Sequence, residues 1–461
     1  MLYFGLRNNK NVYARIGGFL CILLANSTSV NAANTPVTSA DKPHNIIYLI
    51  GDGMGSPHTT AYRYYKANAQ GKVRGDKSKI PSTEFDKHLV GMASTYPADD
   101  TLVTDSAAGA TALATGFKSY NGAIGVTPDQ QSQLTLLERA KQLGMATGVV
   151  ATAQINHATP ASFIAHIDHR KKYDEIADQY ISSTSNSVLN DTIVTDVMLG
   201  GGTKYFDRES RKLVKEFTQQ GFQYIDSMSD LDSLKKLPVL GLFSEEGMPF
   251  AIDSEQPNRL TAMSKAALRL VENAPKGFFL MLEGSQVDWC SHGNDIACAM
   301  AEMTDFEATL KLAVDFAKQN GNTTVVVTAD HSTGGLTLGR DGKYVWQAEL
   351  VHKIKISSGH FSSLVKEGQS IKDVWEKYID LPLEKDELAK LVKASESEKQ
   401  YALSNAISKL TAKKTGTGWT TGGHTGEDVQ VFAFGPHKDM FVGFQDNTDI
   451  AKKLFSLLPK K

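Results

Sequence analysis

Four apolar runs, each leading into acidic or histidine residues, constrain this chain more than any other feature. Asn45–Ile50 runs into Gly51-Asp52-Gly-Met-Gly55, and Thr147–Thr152 leads into Asn156-His157-Ala-Thr159-Pro160. Phe278–Leu282 ends at Glu283, with Asp288 and His292 soon after, and Thr324–Ala329 ends at Asp330-His331. Runs of this apolar character fit strands buried on both faces, as in a parallel sheet covered by helices. The expected fold is therefore α/β, with a largely parallel central sheet flanked by helices. In such sheets ligands bind beyond the carboxyl ends of the strands, so one rim should collect all four sets. An acid after one strand is commonplace; four sets in register are not.

A fifth segment, Val103-Thr-Asp105-Ser106 through Gly116, is rich in alanine and threonine. It reads as a helix with Asp105 at its start and Gly116 as its stop. Ser106 would then sit at the positive end of the helix, where an anionic phosphate is favoured. By itself the segment also reads as a tightly packed, N-capped helix. The company it keeps decides between the two.

The ligand types sort themselves. Asp288 and His292 are four residues apart and share a face if the backbone is helical. With His424, in Gly422-Gly-His-Thr-Gly426, they make a three-ligand zinc site with an open position. Asp52, Asp330 and His331 make a second, completed by Ser106 or substrate. Asp52, Thr159 and Glu283 remain as hard oxygen donors suited to magnesium. Two zinc ions about 4 Å apart can clamp both oxygens of an in-line displacement.

At this point the chain resembles the alkaline phosphatase family. The matching segments are Ile50–Gly55, Thr104–Gly109, Ala158–Pro160 through Arg170, Asp196–Gly202, Glu283-Gly-Ser-Gln-Val-Asp288 with His292, Thr328–Gly334 and Thr421–Gly426, in family order. The resemblance implies hydrolysis of phosphate monoesters through phosphoserine on Ser106. It implies that Arg170 forks two phosphate oxygens, a task suited to its planar guanidinium. It implies two zinc ions and one magnesium per chain on the three sets above, and a homodimer. Two positions depart from the best-known bacterial form: His157 stands where that form has aspartate, and Trp289 where it has lysine. Both bear on the third metal and on phosphate affinity. Related diesterases and sulfatases carry other nucleophiles and lack the third set, so Ser106 with Thr159, Glu283 and Arg170 argues for the monoesterase. A metal- or phosphate-binding protein without turnover fits the complete set of groups less well.

The remainder bounds the setting. Residues 1–32 read as a secretory signal, with Arg7, Lys10 and Arg15 before the apolar Ile16–Ala25 and the small-residue site Val30-Asn-Ala32. A membrane anchor is the competing reading, although the apolar core is short for a span. Removal of this segment takes the formal charge from −2 to −5, because three basic residues and no acidic ones leave. No basic patch offers itself to nucleic acid, and nothing else suggests membrane affinity. The expected destination is the periplasm or the medium, and the expected catalytic domain is residues 33–461. Within it, residues 340–420 read as an inserted helical arm, a cap over the site or a dimer contact, or else an excursion packed on its own domain. Cys290 and Cys298 flank His292 in sequence. Spacing alone leaves open whether they are bridged.

Overall fold

The computed structural model describes residues 44–69, 78, 80–181 and 192–459; the signal reading of residues 1–32 lies outside them. Fourteen strands are found among the described residues. They are β1 (Asn45–Gly51), β2 (Leu89–Ser94), β3 (Ala146–Gln154), β4 (Val197–Gly201), β5 (Gln223–Ile225), β6 (Val239–Leu242), β7 (Phe278–Gly284) and β8 (Thr323–Thr328). The rest are β9 (Ser332–Thr333), β10 (Leu336–Leu338), β11 (Thr417–Trp419), β12 (His424–Thr425), β13 (Val429–Phe434) and β14 (Gly443–Asp446).

Ten of them form one sheet in the order β14-β2-β13-β8-β1-β7-β3-β4-β6-β5. From β8 to β5 every neighbouring pair is parallel. Every residue of β1, β3, β7 and β8 is buried, as two covered faces require. Each fully buried aliphatic side chain there contributes about 1.5–3 kcal/mol relative to exposure. That driving force puts these runs at the centre of the sheet.

The region 171–275 alternates short helices with short strands. It supplies β4, β5 and β6, which extend the sheet at one edge. These strands are only three to five residues long, and β4 ends in glycines, so their apolar signal is brief. At the other side β13 runs antiparallel to β8 and β2. Its amino end therefore lies at the carboxyl ends of the parallel strands. This places His424, five residues ahead of β13, on the same rim as Asp52, Glu283 and Asp330.

β10 and β11 pair antiparallel, Leu336 with Trp419. The chain between them leaves and returns at one place, carrying the helices Ala348–Val351, Ser358–Lys366, Ile371–Tyr378, Lys385–Ser395 and Ala402–Thr415. This excursion has its own small core around buried Trp375 and Phe361. It packs back on the same chain. The His352 ring stacks on Tyr65 of the helix Ser56–Ala69, with centroids 3.8 Å apart, and Asp295 accepts the Ser358 N–H at 2.7 Å. None of the helices among the described residues is long and apolar enough to cross a membrane.

Candidate active site

The helix Ser106–Thr115 forms as its sequence requires. Asp105 caps it by accepting the Ala108 N–H at 2.9 Å, and Gly116 ends it in the left-handed conformation. All ten residues are buried, which explains the small side chains. Ser106 opens the helix, with Oγ 3.1 Å from His331 Nε2 and 3.5 Å from Asp52 Oδ1.

Asp52, Asp330 and His331 form the deep set, all fully buried. His331 Nε2 lies 3.3 Å from Asp52 Oδ1 and 3.3 Å from Asp330 Oδ2. Ligands bound tetrahedrally at about 2.0–2.1 Å from zinc stand about 3.3 Å apart, so these separations suit one ion. Gly53 makes the turn after β1 possible. Its φ is +72°, and a Cβ there would come within 2.8 Å of the Asp288 backbone. Its N–H donates to Asp330 Oδ1 at 3.1 Å.

Asp288, His292 and His424 form the outer set. The first two lie on the helix Gln286–His292, where four-residue spacing brings them together. Nε2 of His292 lies 3.1 Å from Nε2 of His424 and 3.4 Å from Asp288 Oδ2. His424 Nε2 is 3.6 Å from Asp288 Oδ1. Exposure differs across the sets: the His292 side chain is 40% exposed, His424 14% and Asp288 5%. His331 stands between the sets, its ring stacked on His424 with centroids 3.6 Å apart.

The tautomers follow from the partners. His292 Nδ1 lies 2.6 Å from the Gly422 carbonyl, and His424 Nδ1 lies 2.9 Å from the Thr104 carbonyl. A carbonyl only accepts, so each Nδ1 carries the proton and each Nε2 is left for a metal. Thr333 donates to Asp288 and can accept from His331 Nδ1 at 3.2 Å. It ties the outer set to the deep one. Sequence reasoning missed Thr333 and the two carbonyls. Thr333 sits inside the segment Thr328–Gly334, but nothing in its type marks it as an orienting group.

The third set is Asp52, Thr159 and Glu283, all buried. Asp52 Oδ2, Thr159 Oγ1 and both Glu283 carboxyl oxygens lack hydrogen-bond partners. Unpaired buried oxygens of this kind cost free energy unless a cation joins them. His157 approaches this set too, with a ring nitrogen within 4.8 Å of the ligand atoms of Asp52 and Glu283. Its Nε2 accepts from Arg170 Nη2 at 3.1 Å, while Arg170 Nη1 donates to Asp105 Oδ2 at 3.0 Å. Trp289 presents its ring edge-on to His157, with centroids 5.7 Å apart. Cys290 and Cys298 are bridged, with Cα atoms 5.4 Å apart. The bridge closes the turn between the His292 helix and the helix Ile296–Asn320.

Charge balance points the same way. Burial and mutual repulsion push the Asp52 and Asp330 carboxyls well above the usual range. Burial pushes Glu283 up to about 7. Against the effect of burial, Asp288 is held low by the His292 hydrogen bond and nearby histidines, and His292 rises to about 9 beside it. Burial, then Arg170, lowers His157 to about 3, so its ring is neutral. Four buried carboxyls this close do not all ionise without added positive charge.

Comparison with known proteins agrees with this chemistry. The alkaline phosphatase family model matches residues 43–459. Alkaline phosphatase 3 of Bacillus subtilis is 45% identical over 423 residues, 91% of this chain and 89% of that protein. The chain belongs to the alkaline phosphatase family. The cold-active alkaline phosphatase of a psychrophilic Shewanella superposes with a TM-score of 0.83 at 44% identity, over 90% of this chain and 100% of that one. A His-to-Asp mutant of TAB5 alkaline phosphatase, with Mg bound in the M3 site, superposes at 0.64 with 28% identity, over 90% of this chain and 98% of that one. The protein is a metal-dependent hydrolase of phosphate monoesters, and a phosphoserine intermediate is the family's standard route.

Proposed function

We propose that Ser106 is the nucleophile that carries the phosphoryl group in this chain. One observation supports this most: Ser106 Oγ completes the deep set, at 3.1 and 3.5 Å from His331 and Asp52. Arg170 holds the phosphate through its guanidinium, braced by Asp105 and His157. Asp52, Asp330 and His331 hold one zinc ion, and Asp288, His292 and His424 a second. Asp52, Thr159 and Glu283 hold magnesium, with His157 at its edge. The unpaired oxygens of Asp52, Thr159 and Glu283 are the support for that third assignment. Bound metals supply positive charge at the attacking and leaving oxygens.

The chain's own groups do the remainder. Asp105 fixes the helix start, so Ser106 faces the deep set. His331, with Nε2 reserved for the ion beside Ser106 Oγ, helps to hold the positive charge that would favour loss of the Ser106 proton. Arg170 orients the substrate for in-line attack, and the buried walls exclude bulk water from the nucleophile.

The proposal extends to the whole protein. Residues 1–32 are a secretory signal, 33–461 the catalytic domain and 340–420 an arm that serves as cap or dimer contact. The mature protein is a periplasmic or secreted homodimer. The basic start and short apolar core of residues 7–25 support the signal. The test of the nucleophile is Ser106→Ala. It should keep fold and metals yet lose at least about 10³-fold in turnover. Near-normal turnover in that variant would refute the assignment. Amino-terminal sequencing of the exported protein tests the signal, with cleavage after Ala32 expected.

A further inference from the structure

In-line geometry fixes which way a leaving alcohol must go. Ser106 Oγ lies against Asp52 and His331, so its attack sends the leaving oxygen to the opposite side of phosphorus. That side belongs to the outer set. Its most exposed member is His292, at 40%, so the organic part of a substrate passes this residue on its way to solvent. His292 also lines a cavity of about 550 Å³, within the usual size of a small-ligand site. Its walls include Trp289, Phe250, Tyr401 and Asn405.

Three aromatic side chains around one cavity are matched chemically by an aromatic ring. Two of them are set by features without another role in the site. Trp289 is seated against Gly247, where even a Cβ would come within 2.3 Å of the indole. Tyr401 precedes the helix Ala402–Thr415 at the cap position, and its side chain makes no capping bond. Tyr401 remains 62% exposed. The neighbouring cavity shares His292 and Asn405 but presents Arg340, Asp341 and Lys409, a charged lining less suited to a ring.

We propose that the cavity between Trp289, Phe250 and Tyr401 is a leaving-group subsite for aromatic phosphate monoesters. The helical excursion thereby supplies part of the specificity. This inference rests on the assignment of Ser106 as nucleophile.

The test uses metal-loaded wild type, Tyr401→Ala and Phe250→Ala. Benzylphosphonate and methylphosphonate, which cannot be hydrolysed, are titrated calorimetrically, with inorganic phosphate as reference. Wild type should prefer the benzyl ligand. Each variant should cut the benzyl-to-methyl affinity ratio about 3- to 10-fold. The ratio of kcat/KM for nitrophenyl phosphate to that for ethyl phosphate should fall in step. Tyr401 lies on the surface, so its truncation keeps the test valid even if Phe250→Ala fails to fold. An unchanged ratio in folded variants that bind both phosphonates overturns the subsite and leaves Ser106 as nucleophile intact. Failure of wild type to bind either phosphonate or inorganic phosphate overturns the phosphate site and this inference with it.

Discussion

The deep and outer ligand sets use the same residue types but are built differently. Asp52 and Asp330-His331 directly follow adjacent parallel strands, β1 and β8, and are fully buried. Packing of the sheet places them, and short-range hydrogen bonds from the Gly53 and His331 N–H groups to Asp330 Oδ1 fix its carboxylate. Asp288, His292 and His424 come from a seven-residue helix and a two-stranded loop pair. Their histidines are aimed by carbonyls of Gly422 and Thr104, and His292 reaches solvent. The rigid half carries the nucleophile, and the looser half opens towards the leaving group. Precision is placed where the covalent bond forms, and access where the alcohol must depart.

The comparison can be broken experimentally. The largest effect is expected from Asp330→Asn, which leaves the deep set with an uncompensated buried charge balance. Turnover should fall by about 10³-fold or more, and excess zinc should not restore it. His292→Ala should lose activity at stoichiometric metal but recover at least about tenfold in excess zinc, because its position is open. Zinc content after dialysis, measured with activity, decides; equal recovery in both variants would erase the distinction.

Thr333→Val tests the link between the halves. It keeps the shape and removes the hydroxyl shared by Asp288 and His331. Zinc affinity should drop about 10- to 100-fold, the usual range for groups that orient ligands. Unchanged affinity would make Thr333 a packing residue only.

A smaller effect concerns pH. Burial raises Glu283 to about 7 in the metal-free protein, so below that pH its proton competes with the third metal. Apparent magnesium affinity should fall as the pH drops below 7, by about tenfold per pH unit for the Glu283 proton alone. Calorimetry in buffers of different ionisation heat would detect the released proton; affinity flat from pH 5 to 8 would contradict this.

The smallest effect is expected at Trp289, whose indole carries no charge to hold phosphate. Trp289→Lys should lower the inhibition constant of inorganic phosphate and, if release limits turnover, lower kcat at alkaline pH. The ring also packs on His157 and against Gly247. Unchanged inhibition together with lost zinc would mean that packing is its role.

Most of the deep half was legible in the sequence, because apolar runs ending in acids place those acids by strand geometry. The capped helix at Ser106 was equally legible, since Asp105 and Gly116 are strong local signals. His424 joins the outer set by residue type in the sequence, but what brings it to the rim is the antiparallel direction of β13, which no local pattern states. The short strands β4–β6 were too brief to stand out from their helical neighbours. The bridge between Cys290 and Cys298 depends on a Cα separation that sequence spacing does not set. Thr333 and the aiming carbonyls escape because any residue can offer a carbonyl, and a threonine's partner is decided by tertiary packing.

The most direct test of the account is rapid acid quenching of the metal-loaded enzyme during turnover of a phosphate monoester, followed by peptide mass analysis. Phosphate is expected on the peptide containing Ser106, located on that residue, and none in Ser106→Ala. Phosphate on a different residue, or full turnover by the alanine variant, would contradict it.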